Sequence, residues 1–87
     1  MSYLARVYVT LKPAVNDPQG LTVKGGLQTL GFSAVSEVRV GKFLEVTLQV
    51  ADRATAQEQV EQMCRQLLAN PVIESFRFDL EDAPAKA

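Results

Sequence analysis

The 87-residue sequence contains no histidine and a single cysteine, Cys64. The commonest general acid/base and the commonest metal ligand are therefore missing. One thiol without histidine forms neither a Cys-His nucleophile nor a thiolate zinc site, and an internal disulfide is excluded. Carboxylates remain, but Glu58 and Glu61 are spaced for the polar side of a helix, with no third ligand near them. No catalytic residue and no metal site is expected. Charge of one sign is lacking too: nine Lys+Arg against ten Asp+Glu leave −1, without the basic excess of a nucleic-acid binder. No apolar run approaches the ~20 residues that cross a bilayer. The opening residues Met1–Arg6 have no signal-peptide pattern, so the expected compartment is the cytoplasm.

What is present is alternation. Val38 and Val40 alternate with Glu37 and Arg39, and Leu44, Val46, Leu48 and Val50 alternate with Glu45, Thr47 and Gln49. Two period-two runs about Gly41 predict a β-hairpin with one buried face. Both apolar sets are even-numbered, so they share a face only across a three- or five-residue turn. That places Gly41 in a left-handed conformation beside a bulge. A first strand runs over residues 3–11, with Tyr3, Ala5, Val7, Val9 and Leu11 on one side and Leu4, Arg6, Tyr8 and Thr10 on the other. A last strand carries Phe76, Phe78 and Leu80.

Helix signals lie between. Asp17 is placed to cap a first helix with Pro18 at its first position. Val23, Leu27 and Leu30 recur at helical spacing, and Gly31 is placed for a left-handed cap. Thr55–Glu58 has capping-box spacing, followed by an apolar stripe of Ala56, Val60, Met63, Cys64, Leu67 and Leu68. Cys64 on that stripe reads as an inert core thiol. The predicted order is βαββαβ: a ferredoxin-like α+β sandwich with a four-stranded antiparallel sheet and both helices on one face. It spans 1–80 as one domain, with 81–87 as a flexible tail. The other face of the sheet would carry Leu4, Tyr8 and Phe43 among polar residues, and nothing in the chain is left to cover it. A homodimer or higher oligomer is expected through it.

Two further features point to contacts. Arg39 and Lys42 place two cations at the predicted hairpin tip. The stretch Lys12–Gly20, with Asp17 and Gln19, is longer than a strand-to-helix link needs and is stiffened by two prolines. Lys12, Asp17, Gln19, Arg39 and Lys42 are the expected partner-binding residues.

Leu11-Lys12-Pro13, Asp17-Pro18-Gln19-Gly20, Leu30-Gly31-Phe32, Val38-Arg39-Val40-Gly41-Lys42 and Leu67–Glu74 occur together and in order. Jointly they resemble the PurS family, small subunits of phosphoribosylformylglycinamidine (FGAM) synthase in purine biosynthesis. Ala14 stands where that family usually has glycine. The resemblance implies a non-catalytic subunit of an ATP- and glutamine-dependent ligase that converts FGAR to FGAM. It would dimerise, bridge the glutaminase subunit and the large synthetase subunit, and assist ammonia transfer. It implies no cofactor on this chain, ATP and Mg being used by the synthetase. The competing expectation is a dimeric ferredoxin-like module sensing an amino acid or a nucleotide, since fold alone does not choose.

Overall fold

The computed structural model describes residues 1–83. Three strands form one antiparallel sheet: β1 (Ser2–Leu11), β2 (Gly41–Gln49) and β3 (Glu74–Asp82), in the order β2-β1-β3. Two helices complete an α+β fold, α1 (Pro18–Thr29) and α2 (Arg53–Met63), the latter prolonged by a π-helical turn, Cys64–Leu68.

β1 is central because its odd-numbered side chains are apolar without interruption. Val7 lies between Leu44 of β2 and Phe78 of β3, and Ala5 between Val46 and Leu80. Ala56 and Val60 of α2, with Cys64 at the start of the π-helical turn, join Ala5, Val7 and Val9 in the core, all almost fully buried. Burying a side chain such as Val60 contributes about 2 kcal/mol. α2 therefore adheres through the spacing i, i+4, i+8 predicted for it.

Its start differs from the sequence expectation. Asp52, not Thr55, is the N-cap, accepting the Thr55 N–H at 2.8 Å. An aspartate one turn earlier offers a charged acceptor, stronger than the hydroxyl of a capping box. At the other end the Ala69 N–H reaches back to the Cys64 carbonyl at 2.9 Å. That widened turn rotates the stripe, so Leu68 stays half-buried while Leu67 is 82% exposed. β3 runs through Asp82 rather than ending at residue 80. Of the expected tail 81–87, residues 84–87 lie outside the described ones.

The larger difference concerns the middle of the chain. The single chain has three strands, not four, and no hairpin. Val35–Val40 carries the alternation of a strand, yet it pairs with no strand and leads into β2 without turn or bend. Gly41 is not left-handed; Gly31, at φ 102°, is the one positive-φ residue among those described. Gly41 is needed for another reason. A Cβ there would stand 2.4 Å from the Val9 carbonyl oxygen, so close approach of β1 excludes a side chain.

With no hairpin, α1 is not laid on the sheet. Only Gly20 of its twelve residues is buried, while Leu21 is 58% and the following Leu30 75% exposed. The helix and the strand-like segment after it form an arm. The radius of gyration is 16.8 Å, against ~12 Å for a compact chain of this length.

Candidate functional site

The base of the arm is organised by Asp17. Lys12-Pro13 ends β1, since proline cannot continue the ladder, and a turn returns the Val15 N–H to the Lys12 carbonyl at 2.9 Å. Asp17 then caps α1: its Oδ1 accepts the Gly20 N–H at 3.0 Å, with Pro18 in the first turn. Its Oδ2 accepts the Val40 N–H at 2.7 Å. The side chain is almost fully buried. The Val40 amide, then the Gly20 amide, hold its pKa below the ordinary carboxylate value, with burial opposing and Arg39 assisting more weakly.

Arg39 locks the loop from the other side. Its Nη2 donates to the carbonyls of Lys12, at 3.0 Å, and Val15, at 2.9 Å. Gly20 lets the first turn of α1 meet the segment that follows the helix, because a Cβ there would lie 2.2 Å from the Val38 carbonyl oxygen. Loop 12–20 and segment 38–40 are thus one braced unit.

Around it the expected contact residues gather. Asp17, Gln19 and Lys42 border an open depression of about 320 Å³ that extends to Glu74. A second, of about 350 Å³, lies beyond Asp17 between Lys24 and Arg39. Lys12, Gln19, Arg39 and Lys42 are exposed. Arg39 and Lys42 do not sit at a turn tip: Arg39 is turned into the loop, and Lys42 lies within β2, opposite Val9. Among the described residues no buried side-chain polar atom lacks a partner, and no three His, Cys, Asp or Glu side chains cluster to hold a metal ion. What the site offers is a rigid, mixed-charge surface.

The outer face of the sheet is separate. Leu4, Tyr8 and Phe43 share it, as parity requires, with Tyr8 directly opposite Phe43. Their ring centroids are 5.2 Å apart, and the Arg77 guanidinium lies 3.9 Å over the Tyr8 ring. Leu4 is not continuous with them. Arg6 stands between, within 3.6 Å of Glu45 and paired with Glu81. The apolar part of this face is a small aromatic patch beside a charged ladder, not a broad hydrophobic surface. Arg77 and Glu81 escaped sequence reasoning because only the β1–β3 register places them there. Cys64 lies in neither site; burial, then the neighbouring Glu61, pushes its thiol pKa up, which suits a core residue.

No helix among the described residues is long and apolar enough to cross a membrane. Comparison with known proteins gives one consistent answer. The family model for PurS, described as phosphoribosylformylglycinamidine (FGAM) synthase, matches residues 4–82. The chain is 54% identical over 79 residues to the phosphoribosylformylglycinamidine synthase subunit PurS of Synechocystis, covering 91% of this chain and 79% of that one. It superposes on Thermus thermophilus PurS with a TM-score of 0.86 at 40% identity, over 97% of this chain and 100% of that one. A chain in the structure of PurLQS from Thermotoga maritima gives 0.86 at 26% identity, over 93% and 99%.

Proposed function

This chain belongs to the PurS family of FGAM synthase subunits, and we propose that within that enzyme it bridges the glutaminase and synthetase subunits and assists the passage of ammonia between them. The observation that carries this reading is the braced unit of loop 12–20 and segment 38–40. It is rigid, exposed and chemically complete in itself, a surface for docking rather than reaction. Lys12, Gln19 and Arg39 supply its polar contacts, with Lys42 beside them on β2, and Asp17 ties the loop to the segment through Gly20 and Val40. Ammonia is lost when it meets bulk water and is protonated, so a junction that excludes water has a mechanistic task without chemistry of its own. The conversion of FGAR to FGAM, with its ATP and Mg, is assigned to the synthetase. The working compartment is the cytoplasm, with no nucleic acid or membrane as partner.

The subunit acts as a homodimer or higher oligomer. The Tyr8–Phe43 patch, with Leu4 at its margin, contributes a secondary contact. The four-stranded ferredoxin-like sheet belongs to the assembled subunit, not to one chain. The two depressions beside Asp17 are what favours a small-molecule sensing module; an effector would then raise the melting temperature of the isolated chain.

Reconstitution tests the main reading. The pure chain is expected to have no glutaminase, ATPase or amidine-forming activity. Added to the two larger subunits, it should raise glutamine-dependent turnover far more than ammonia-dependent turnover. Equal stimulation with free ammonia would place its effect on the synthetase chemistry and overturn the transfer role.

A further inference from the structure

The stretch from Leu67 to Ile73 carries α2 over into β3, and it is apolar where a surface connection is ordinarily polar. Leu67 is 82%, Val72 78% and Ile73 39% exposed. Among the described residues, the other exposed large apolar side chains lie on and just beyond α1, apart from Met1 and Phe43. Single apolar residues scattered over a surface need no explanation, but three within seven positions do.

A loose loop does not account for them. The Glu74 carboxylate accepts the Asn70 N–H at 2.6 Å, and the Asn70 side-chain oxygen accepts the Val72 N–H at 3.0 Å. The Asn70 carbonyl accepts the N–H groups of Ile73 and Glu74, at 3.1 and 2.7 Å. Pro71 has no N–H. Every amide donor from Asn70 to Glu74 is therefore used within the turn. Beside it, Arg65 is paired with Glu61 and Gln66 with Gln62. With these donors used and the neighbouring charges neutralised, the turn presents a partner with apolar side chains rather than amides or charge. Being already ordered, it loses little freedom on docking.

Its place in the fold says what lies next to it. Glu74 stands opposite Leu11 at the end of β1, and the Lys12 N–H donates to the Ile73 carbonyl at 2.8 Å. Glu74 also borders the same depression as Asp17, Gln19 and Lys42. The stretch is thus continuous with the braced unit of loop 12–20 and segment 38–40.

We propose that residues 67–73 are the apolar part of that docking surface, seated in an uncharged, carbon-lined cleft on the larger subunit that receives loop 12–20. The proposal rests on the bridging reading and adds the chemistry of the contact. Lys12 and Arg39 supply a polar, salt-sensitive margin, while Leu67 and Val72 supply the buried centre, the usual division of a protein interface.

Leu67→Gln combined with Val72→Thr tests this in the reconstituted enzyme. Both changes keep the approximate shape of the side chain and add polar atoms at exposed positions. The isolated variant should therefore match wild type in melting temperature and in sedimentation. Each chain is titrated into a fixed mixture of the two larger subunits, with glutamine-dependent turnover as the readout. The double variant should need at least about tenfold more chain for half-saturation. That shift should be as large at high salt as at low, because no charge has been removed. An unshifted half-saturating concentration, or a shift that shrinks with salt, overturns the apolar contact and leaves bridging standing. So does a variant that dissociates the homodimer, which would put a second copy on the stretch. A wild-type chain that never stimulates turnover overturns bridging itself, and the apolar contact with it.

Discussion

Asp17 Oδ2 accepts the backbone N–H of Val40 at 2.7 Å across 23 residues, while Oδ1 of the same carboxylate caps α1 through Gly20. One side chain thus sets where the helix begins and where the chain leaves the arm to enter β2. Disturbing either oxygen should be felt at both ends of the arm.

Acid should reveal this carboxylate. Its pKa is depressed in the folded chain, so its stabilising contribution is present above the ordinary carboxylate value of 3.8 and is lost as pH falls through the lower folded value. Asp52, depressed by the Thr55 amide, behaves in the same sense. Melting temperature followed from pH 7 to pH 2 should fall at the acid end. The difference between wild type and Asp17→Asn should shrink there; a difference independent of pH would deny Asp17 this role.

Arg39→Ala removes the donor shared by the Lys12 and Val15 carbonyls. These are exposed bonds, so stability should drop by only about 1 kcal/mol or less. The larger effect should be local: amide exchange across 12–17 rises, and association with the two larger subunits weakens. Exchange unchanged in that loop would mean the guanidinium does not hold it.

The glycines divide into two kinds. Gly20→Ala places a methyl group 2.2 Å from the Val38 carbonyl oxygen, and should destabilise the chain by more than about 2 kcal/mol. Gly25 has nothing within 4 Å of an added Cβ and lies on α1 about 200° from Val23, away from the apolar stripe. Gly25→Ala should stabilise by about 0.5 kcal/mol. Urea melts of the two variants should therefore move in opposite directions.

Cys64 is fully buried, with its thiol pKa raised by burial and by Glu61. A thiol reagent at pH 8 should label it slowly in the native chain and rapidly in denaturant. Fast native labelling would show that α2 opens readily from the sheet.

Much of this arrangement is legible in the amino-acid order. The alternation of residues 3–11 predicts β1 and both faces of the sheet, down to Tyr8 and Phe43 on the side away from α2. Asp17-Pro18 predicts the start of α1, and Gly31 the left-handed backbone that follows it. The absence of a turn at Gly41 is not legible, for a physical reason. A hairpin with an odd-numbered loop and an uninterrupted strand leave the same even-numbered apolar pattern, so periodicity cannot choose between them. What separates them is whether Val35–Val40 folds back to pair with β2, and it does not. The second bond of Asp17 and the guanidinium contacts of Arg39 are hidden likewise, being joined through space and not by spacing.

The π turn at Cys64–Leu68 amounts to one residue inserted into a helix that is otherwise in phase with its sheet. Removing a residue from Arg65–Leu67 would restore the ordinary ladder and swing everything beyond it by about 100°. The chain would then reach β3 from a different heading. Because the Lys12 N–H bonds the Ile73 carbonyl at 2.8 Å, that single deletion at the far end of α2 would pull on the loop at the base of the arm. The helix length therefore acts as a spacer calibrated to the contact surface, and insertions or deletions should be tolerated less there than in the exposed arm.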